Sequence, residues 1–382
     1  MSVYKRKSGK WAVLIDLDPD ASGKRRRKTL GTFASRKEAE RSEREALAAR
    51  DRGIDLVPDR VTVAQLLARY LKASTQRCGE KTVERYGELE SQYIRPHLGV
   101  IALAKLKAPH ILDWQATLLA KGGRKERALS AKTVRHAHAL LSGALRWAMN
   151  MQLVSQNVAS IVKAPTVARS NAKSLSIDEV TRVLAAAADT RWGPFVALAF
   201  ALGARRGELC ALSWSDVDLD AKTVTIRASY SETRTGLSMK GTKTDRIRTV
   251  PLSRMALEAC RRQRAFQAAE KLAAGSAYAD EDAVFADPLG GRIKPSAATI
   301  AHREIARSAG ISSTRLHDAR HTAATTLLVG GVDVRTTAGI LGHSNPNVTL
   351  ATYAHLLSDV QRDAIDRLGD LLEGKPRRVE GS

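Results

Sequence analysis

The stretch ALGARRGELCALSWSDVDL, residues 201–219, decides how this sequence is interpreted. It follows an apolar run, so its two arginines, Arg205 and Arg206, stand in surroundings that predict burial. A buried guanidinium needs an anion, either a carboxylate or a phosphate. Glu208 lies three residues after Arg205 and could supply the carboxylate. Taken alone, the stretch leaves the ion pair and the phosphate site both open.

Three motifs further along the chain carry more cations, histidines and a tyrosine. The segment GTKTDRIRTVPL (241–252) contains Lys243, RLHDARHTAAT (315–325) contains His317 and Arg320, and LGHSNPNVTLATYAHL (341–356) contains His343 and Tyr353. Taken singly, each motif has an ordinary structural explanation, and no cluster of carboxylates accompanies them.

The composition points to a polyanionic partner. The chain has 382 residues with 62 Lys and Arg against 40 Asp and Glu, a formal net charge of +22. Its 43% apolar and 27% charged residues are typical of a folded protein of two or three domains. Such a charge favours nucleic acid first and an anionic membrane second.

The sequence argues against both a membrane-spanning segment and a disulfide framework. The longest nearly apolar run, residues 192–204, has thirteen residues, whereas a bilayer span needs about 20. No signal-type segment follows the cationic start. The three cysteines, Cys78, Cys210 and Cys260, are too scattered for a disulfide framework or a CxxC metal site. We therefore expect a cytoplasmic protein of a reducing compartment.

The positive charge and the apolar patterning divide the chain into three parts. In residues 1–60, Trp11, Val13, Ile15 and Leu17 alternate as in a half-buried strand, and the basic run from Lys24 leads into a second strand that ends at Gly31. A charged helix follows from Ser35 to near Gly53. Residues 61–172 show helical periodicity only and carry 17 basic against 6 acidic residues, a net charge of +11. The remainder is helical apart from strands near 224–226 and 248–252, which flank a basic hairpin. The basic run could contact DNA, or it could be an edge strand that avoids aggregation by its charge.

Several familiar sites can be excluded from the motifs themselves. GLSMKGTK, from Gly236, lacks the Gly-Lys pair of a P-loop. The triplet Asp216, Asp218 and Asp220 lacks the glycine and the final glutamate of a calcium loop. His317 and His321 are four residues apart and could bind zinc, but no acidic or thiol residue completes the set. We expect no metal and no cofactor.

Taken together and in this order, the four motifs resemble the tyrosine recombinase family of the phage-integrase type. The match rests on Arg205 with Glu208, Lys243, His317 with Arg320, Gly342-His343, and Tyr353. The start, GKWAVLIDL and LGTFASRKEAE, resembles the arm-site DNA-binding domain of lambda-type integrases. The segment LSAKTVRHAHALLSGALRWAMNMQLVSQNVA is similar to their core-site-binding domain.

The resemblance implies a multidomain fold. We expect a small β-sheet-plus-helix domain that binds arm-type DNA at residues 1–57 and an all-α, SAM-like core-site domain at 61–165. A mainly α catalytic domain with a small antiparallel β-sheet follows at 173–375. The cations expected to contact DNA are Arg25, Arg26 and Arg27 in the first domain and Lys132 and Arg135 in the second.

The resemblance also implies the catalytic roles. Tyr353 would be the nucleophile that forms a 3'-phosphotyrosine, and Arg205 and Arg320 would clamp the phosphate oxygens. Lys243 would protonate the leaving oxygen, although Lys240 on the same hairpin is an alternative. His317 and His343 would contact the phosphate, and Glu208 would orient a partner side chain. The implied partners are double-stranded DNA attachment sites, three further copies in a homo-tetramer, a host DNA-bending protein and an excision factor.

Two other functions remain open at this point. A Xer-like chromosome or plasmid resolvase would use the same chemistry. The strand-and-helix region of residues 1–60 instead favours an integrase that inserts and excises a phage or mobile element. A non-catalytic DNA-binding regulator would be expected to lack one or more of the catalytic residues. This sequence has a residue of the expected type at every catalytic position.

Overall fold

The computed structural model describes residues 2–17, 26–51, 61–168, 174–241, 247–311 and 314–342, together with residues 365, 368, 369, 372 and 373. The chain divides into two compact units, Met1–Ala168 and Arg169–Ser382. Each unit has its own apolar core.

The first unit opens with an antiparallel sheet of three strands in the order β1 (Ser2–Lys5), β2 (Trp11–Leu17) and β3 (Arg26–Phe33). Helix α1 (Arg36–Asp51) packs on it, with Ala39 of α1 and Val13 of β2 fully buried. Ser35 caps this helix by accepting the N–H of Glu38, whose carboxylate accepts the N–H of Ser35 in return. Alternation predicted β2, and the basic run that ends at Gly31 predicted β3. Strand β1, where Val3 and Tyr4 are the only apolar residues, was missed.

The rest of the first unit is helical, as the periodicity predicts. Its helices are α2 (Val63–Ser74), α3 (Glu80–Leu89), α4 (Arg95–Leu98), α5 (Ala108–Lys121), α6 (Ala131–Asn150) and α7 (Val158–Ile161), with a π-helical turn at Glu90–Ile94. Thr62 and Ser130 accept backbone N–H groups at the starts of α2 and α6. One face of α6, including Val134, Leu141 and Leu145, is buried in the centre of this core.

The second unit combines helices with two small antiparallel sheets. The helices are α8 (Ile177–Ala187), α9 (Gly193–Leu202), α10 (Arg206–Ala211), α11 (Arg254–Ala274), α12 (Pro295–Ser308), α13 (Leu316–Val329) and α14 (Val334–Leu341). One sheet has the order β4 (Val217–Asp218), β5 (Thr223–Ile226), β8 (Arg248–Pro251), and the other is a hairpin of β6 (Ala228–Thr233) and β7 (Gly236–Gly241).

Helix α9 is the centre of the second core. It is apolar on all sides, and α8, α10, α11 and α13 pack against it. Phe195, Leu198 and Leu202 of α9 are almost fully buried. Because α9 ends beside α13 and leads directly into α10, the core brings distant motifs of the sequence to one place. Within the part of the chain that the structure describes, no helix combines the length and apolar character needed to cross a bilayer.

Candidate active site

The turn from α9 to α10 places Arg205. Gly203 ends α9 with a φ of +55°, and a Cβ there would lie 2.6 Å from Leu341 Cδ2. This close approach brings the turn against the end of α14. Arg205 then precedes α10, and the Glu208 carboxylate accepts its backbone N–H at 2.9 Å and its Nη1 at 2.6 Å. The carboxylate that the sequence offered to Arg205 is therefore its partner here.

Arg205 also reaches the end of α14. Its Nη2 donates to the carbonyl of Gly342 at 3.1 Å, across 137 positions of sequence. The Arg205 side chain is 30% exposed, whereas that of Glu208 is 1% exposed. The guanidinium is therefore fixed by Glu208 and Gly342, while part of the Arg205 side chain stays accessible.

Arg320 of α13 meets the same two segments. Its Nη1 donates to the carbonyls of Gly203, at 2.8 Å, and of Leu341, at 2.7 Å. The residue is only 3% exposed, in keeping with its position on the buried face of α13. The structure thus gathers Arg205, Glu208 and Arg320 around the α9–α10 turn and the end of α14.

Arg248, at the start of β8, completes this cluster and was missed by the sequence analysis. Its Nη2 donates to Glu208 Oε2 at 2.6 Å and its Nε to the carbonyl of Ile340 at 3.0 Å. A signal was available, because residues two apart on a strand share a face. Arg248 shares its face with buried Val250, and an arginine on a buried face needs an anionic or carbonyl partner.

The charges around Glu208 fix its protonation state. Burial alone raises the pKa of this carboxyl, but the hydrogen bond and charge of Arg248, followed by the hydrogen bonds from the backbone and side chain of Arg205, outweigh burial and leave the pKa below its ordinary value. Glu208 is therefore ionised at neutral pH between two guanidinium groups.

His317 lies in the first turn of α13, with its ring on the surface. The rings of His317 and His321 meet edge to face, with centroids 4.8 Å apart. Desolvation of His317, followed by the charges of the nearby His321 and Arg320, lowers its pKa to about 4. At neutral pH His317 is therefore an uncharged imidazole that can donate or accept a hydrogen bond. The described residues contain no group of three or more His, Cys, Asp and Glu that could hold a metal ion.

Several predicted site residues lie outside the described residues, namely Lys243, His343, Tyr353 and Arg25. Arg26 and Arg27 are in β3 and Lys240 is in β7, where it pairs with Ser229 across the hairpin. Lys132 and Arg135 are exposed and three residues apart on α6, so they share one face of that helix. Their roles stay predictions.

Comparison with known families gives three matches along the chain. The phage integrase family profile matches residues 173–359, the arm DNA-binding domain profile residues 1–49, and the phage integrase N-terminal SAM-like domain profile residues 62–119. The order agrees with that of the three sequence regions.

Curated relatives and solved structures are similar over most of the chain. The tyrosine recombinase XerD of Mycobacterium leprae is 32% identical over 58% of this chain and 69% of its own length. The XerC-like tyrosine recombinase of Caldanaerobacter subterraneus subsp. tengcongensis is 27% identical over 96% of this chain and 97% of its own length. An integrase of Streptomyces ambofaciens is 27% identical over 92% of this chain and 90% of its own length.

Among solved structures, the Tn1549 transposon integrase in complex with transposon right end DNA superimposes with a TM-score of 0.66 at 20% identity. It covers 81% of this chain and 100% of that one. A lambda integrase tetramer bound to a Holliday junction gives a TM-score of 0.59 at 19% identity, covering 90% of this chain and 96% of that one. These similarities support the multidomain fold expected from the sequence.

Proposed function

The chain belongs to the phage integrase family of tyrosine recombinases, and from this premise we propose that it is a site-specific DNA recombinase of the integrase type. It cuts and rejoins DNA strands without ATP. The observation that carries the proposal is the convergence of Arg205 and Arg320 on the end of α14. After α14 the chain continues to His343 and, eleven residues beyond Gly342, to Tyr353.

The two arginines suit the charge that develops in phosphoryl transfer. In the transition state negative charge spreads over the non-bridging phosphate oxygens, and fixed cations stabilise it. Arg205 is accessible to such a phosphate, because its side chain is 30% exposed. Arg320 is buried and bonded to two carbonyls, so a phosphate reaches it only if its surroundings open on DNA binding. Arg320 therefore also fixes the geometry of the site.

The nucleophile and the acid in this mechanism are Tyr353 and a hairpin lysine. The Tyr353 hydroxyl gives its proton to the neutral imidazole of His317 as its oxygen attacks phosphorus, the bond from phosphorus to the 5'-oxygen breaks, and the strand keeps a 3'-phosphotyrosine. The leaving 5'-oxygen takes a proton from Lys243, with Lys240 as the alternative donor. Neutral His317, together with His343, hydrogen-bonds the phosphate. Attack by the 5'-hydroxyl of another strand reverses these steps, so the bond energy is conserved.

DNA recognition is divided between the two other domains. The arm domain, residues 1–57, would read a separate class of site through Arg25, Arg26 and Arg27. The core-site domain, residues 61–165, would track the phosphate backbone with the exposed α6 face that carries Lys132 and Arg135. The high positive charge of residues 61–172 supports this assignment.

The assembly follows from the reaction itself. Two duplexes are each cut on both strands, so four tyrosines are needed, and we propose a homo-tetramer on paired attachment sites. A host DNA-bending protein and an excision factor are the accessory partners that fit an integrase with an arm domain. The reaction takes place on DNA in the cytoplasm, associated with the nucleoid. A Xer-like resolvase would share the chemistry, and we favour the integrase because residues 1–49 match an arm DNA-binding domain.

Covalent trapping tests the proposal. A nicked suicide duplex is built around the core site, which is found by sequencing the DNA that flanks the gene. The wild-type protein should form an adduct that survives a denaturing gel, while Tyr353→Phe should bind the duplex and form none. Tyr278→Phe, which removes the hydroxyl of a tyrosine beside Lys271, is the matched control and should form the adduct normally. Adduct formation by Tyr353→Phe would show that another residue is the nucleophile.

A further inference from the structure

Three arginines bind three consecutive carbonyl oxygens at the end of α14. Arg248 donates to Ile340, Arg320 to Leu341 and Arg205 to Gly342, over 3.0, 2.7 and 3.1 Å. The last carbonyls of a helix have no partner within the helix and carry the negative end of its dipole. Here that end is fixed by cations from three separate elements, β8, α13 and the start of α10. The stretch leading to Tyr353 therefore begins from a fixed point.

Arg248 is the member of this set that the catalytic proposal leaves without a role. Its side chain is 10% exposed, compared with 30% for Arg205, so it is the less accessible of the two to a DNA phosphate. Its contacts are instead with Glu208 and the Ile340 carbonyl. These contacts link the strand after the lysine hairpin both to the partner of Arg205 and to the end of α14.

The charge balance explains why Arg248 is needed. If Glu208 were paired with Arg205 alone, its negative charge would neutralise the positive charge of Arg205. A neutral pair attracts a phosphate only weakly. With Arg248 bound to the other carboxylate oxygen, the three groups carry a net charge of +1. Arg205 then keeps positive charge for the phosphate while the carboxylate still fixes its orientation.

The backbone at Gly342 packs closely against the guanidinium of Arg248. A Cβ at Gly342 would lie 2.6 Å from Arg248 Nη1 and 2.8 Å from its Cζ, and the residue has a φ of +70°. A side chain at this position is thus excluded both by the left-handed backbone and by the position of Arg248. The close contact makes Gly342→Ala a second, independent way of displacing Arg248.

We propose that Arg248 is a positioning residue that balances the charge of Glu208, so that Arg205 can act on the phosphate, and that holds the end of α14 in place. This proposal rests on the proposed recombinase function. It predicts that Arg248 affects the rate of strand cleavage much more than the binding of DNA.

The test measures single-turnover cleavage of the suicide duplex by the full chain. Arg248→Gln should cleave about 100-fold more slowly, the loss that a misplacement of about 1 Å in a reacting group can cause, with core-site affinity nearly unchanged. Arg248→Lys keeps the charge and should recover most of the rate. Gly342→Ala should be slowed in the same way as Arg248→Gln.

A second-site variant separates charge balance from mere packing. If unbalanced Glu208 slows Arg248→Gln by neutralising Arg205, then adding Glu208→Gln should restore part of the rate. The matched control is Arg191→Gln, because Arg191 also binds one carboxylate, that of Glu270, and one carbonyl, that of Ala286, away from α14. Arg191→Gln should lose stability but cleave bound DNA at the normal rate.

The outcomes distinguish this proposal from the recombinase function itself. Normal cleavage by Arg248→Gln would overturn the proposal, and so would slow cleavage that neither Arg248→Lys nor Glu208→Gln improves. If Arg248→Gln does not fold, the cleavage rate of Arg248→Lys tests the proposal instead. A loss of cleavage rate in Arg248→Lys as large as that in Gly342→Ala would rule out the role of the Arg248 charge. Absence of any adduct from wild-type protein and from Arg191→Gln would instead refute the recombinase function.

Discussion

Replacing Glu208 by alanine should destabilise the second unit substantially. The Glu208 carboxylate is 1% exposed and accepts from the Arg205 N–H, from Arg205 Nη1 and from Arg248 Nη2. Glu208→Ala removes all three hydrogen bonds and leaves two cations side by side. Arg205 can turn toward water, but Arg248 is 10% exposed and remains largely desolvated.

The expected cost can be estimated from that burial. Removing one partner of a buried ion pair typically costs about 3–5 kcal/mol, because the other charge stays buried and uncompensated. Since Arg205 can be partly rehydrated, we expect the lower end, about 3 kcal/mol. For a unit of this size that corresponds to a fall of about 6–12 °C in the melting temperature.

Calorimetric melting of the full chain is the assay. Asp280→Ala is the control, because it also removes a carboxylate that binds a cation, but the Lys271–Asp280 pair is exposed on both sides. That variant should melt close to wild type, since exposed ion pairs contribute little. Adding Arg248→Met to Glu208→Ala should recover part of the loss by removing the buried charge. A melting temperature for Glu208→Ala equal to that of Asp280→Ala would refute the account of Glu208 as a buried, doubly paired anion.

Three further predictions concern the arm domain, a buried histidine and the chain end. Deleting residues 1–60 should leave footprinting of a core site intact and abolish protection of a second, distant class of site; an unchanged footprint would contradict the assignment of an arm domain. His302 is 2% exposed, and burial lowers its pKa against the opposing charge of Asp318. As the pH falls below about 6.5, the unfolded chain therefore takes up a proton that the folded chain does not. Stability should fall between pH 7.5 and 5.5, and His302→Leu should reduce that fall; an equal fall in melting temperature for both proteins would disprove the effect. Truncation after Ser358 should preserve folding and single-site binding but prevent synaptic complexes on a native gel, because the described helical residues Leu368 and Leu372 beyond it are 51% and 80% exposed and would dock on a neighbouring copy; reduced thermal stability together with weaker single-site binding would indicate packing within the same chain.

Local features of the fold were predictable from the sequence because their causes are local. Alternating side chains predicted β2, and apolar periodicity predicted the longer helices α2, α3, α5 and α6. The short helices α4 and α7 were not predicted. The capping residue Ser35 marked the start of α1, with Glu38 three residues on completing the capping box. Strand β1 was missed because its few residues give too short a pattern to recognise.

Part of the candidate site was also present in the sequence. Residues three apart at the start of a helix are neighbours whatever the rest of the fold does. The pair of Arg205 and Glu208 could therefore be suggested from spacing alone, although spacing could not decide between the carboxylate and a phosphate as the partner of Arg205.

The role of Arg248 and the convergence on α14 were decided only by the tertiary structure. Arg248 and Ile340 are 92 positions apart, and Arg205 and Gly342 are 137 apart. No local pattern determines which distant segments meet, because that depends on how α9, α13 and the β5–β8 strands pack around one core. The same packing removes Arg248, Glu208 and Arg320 from water, and burial is what makes their few hydrogen bonds and charges strong enough to fix the site.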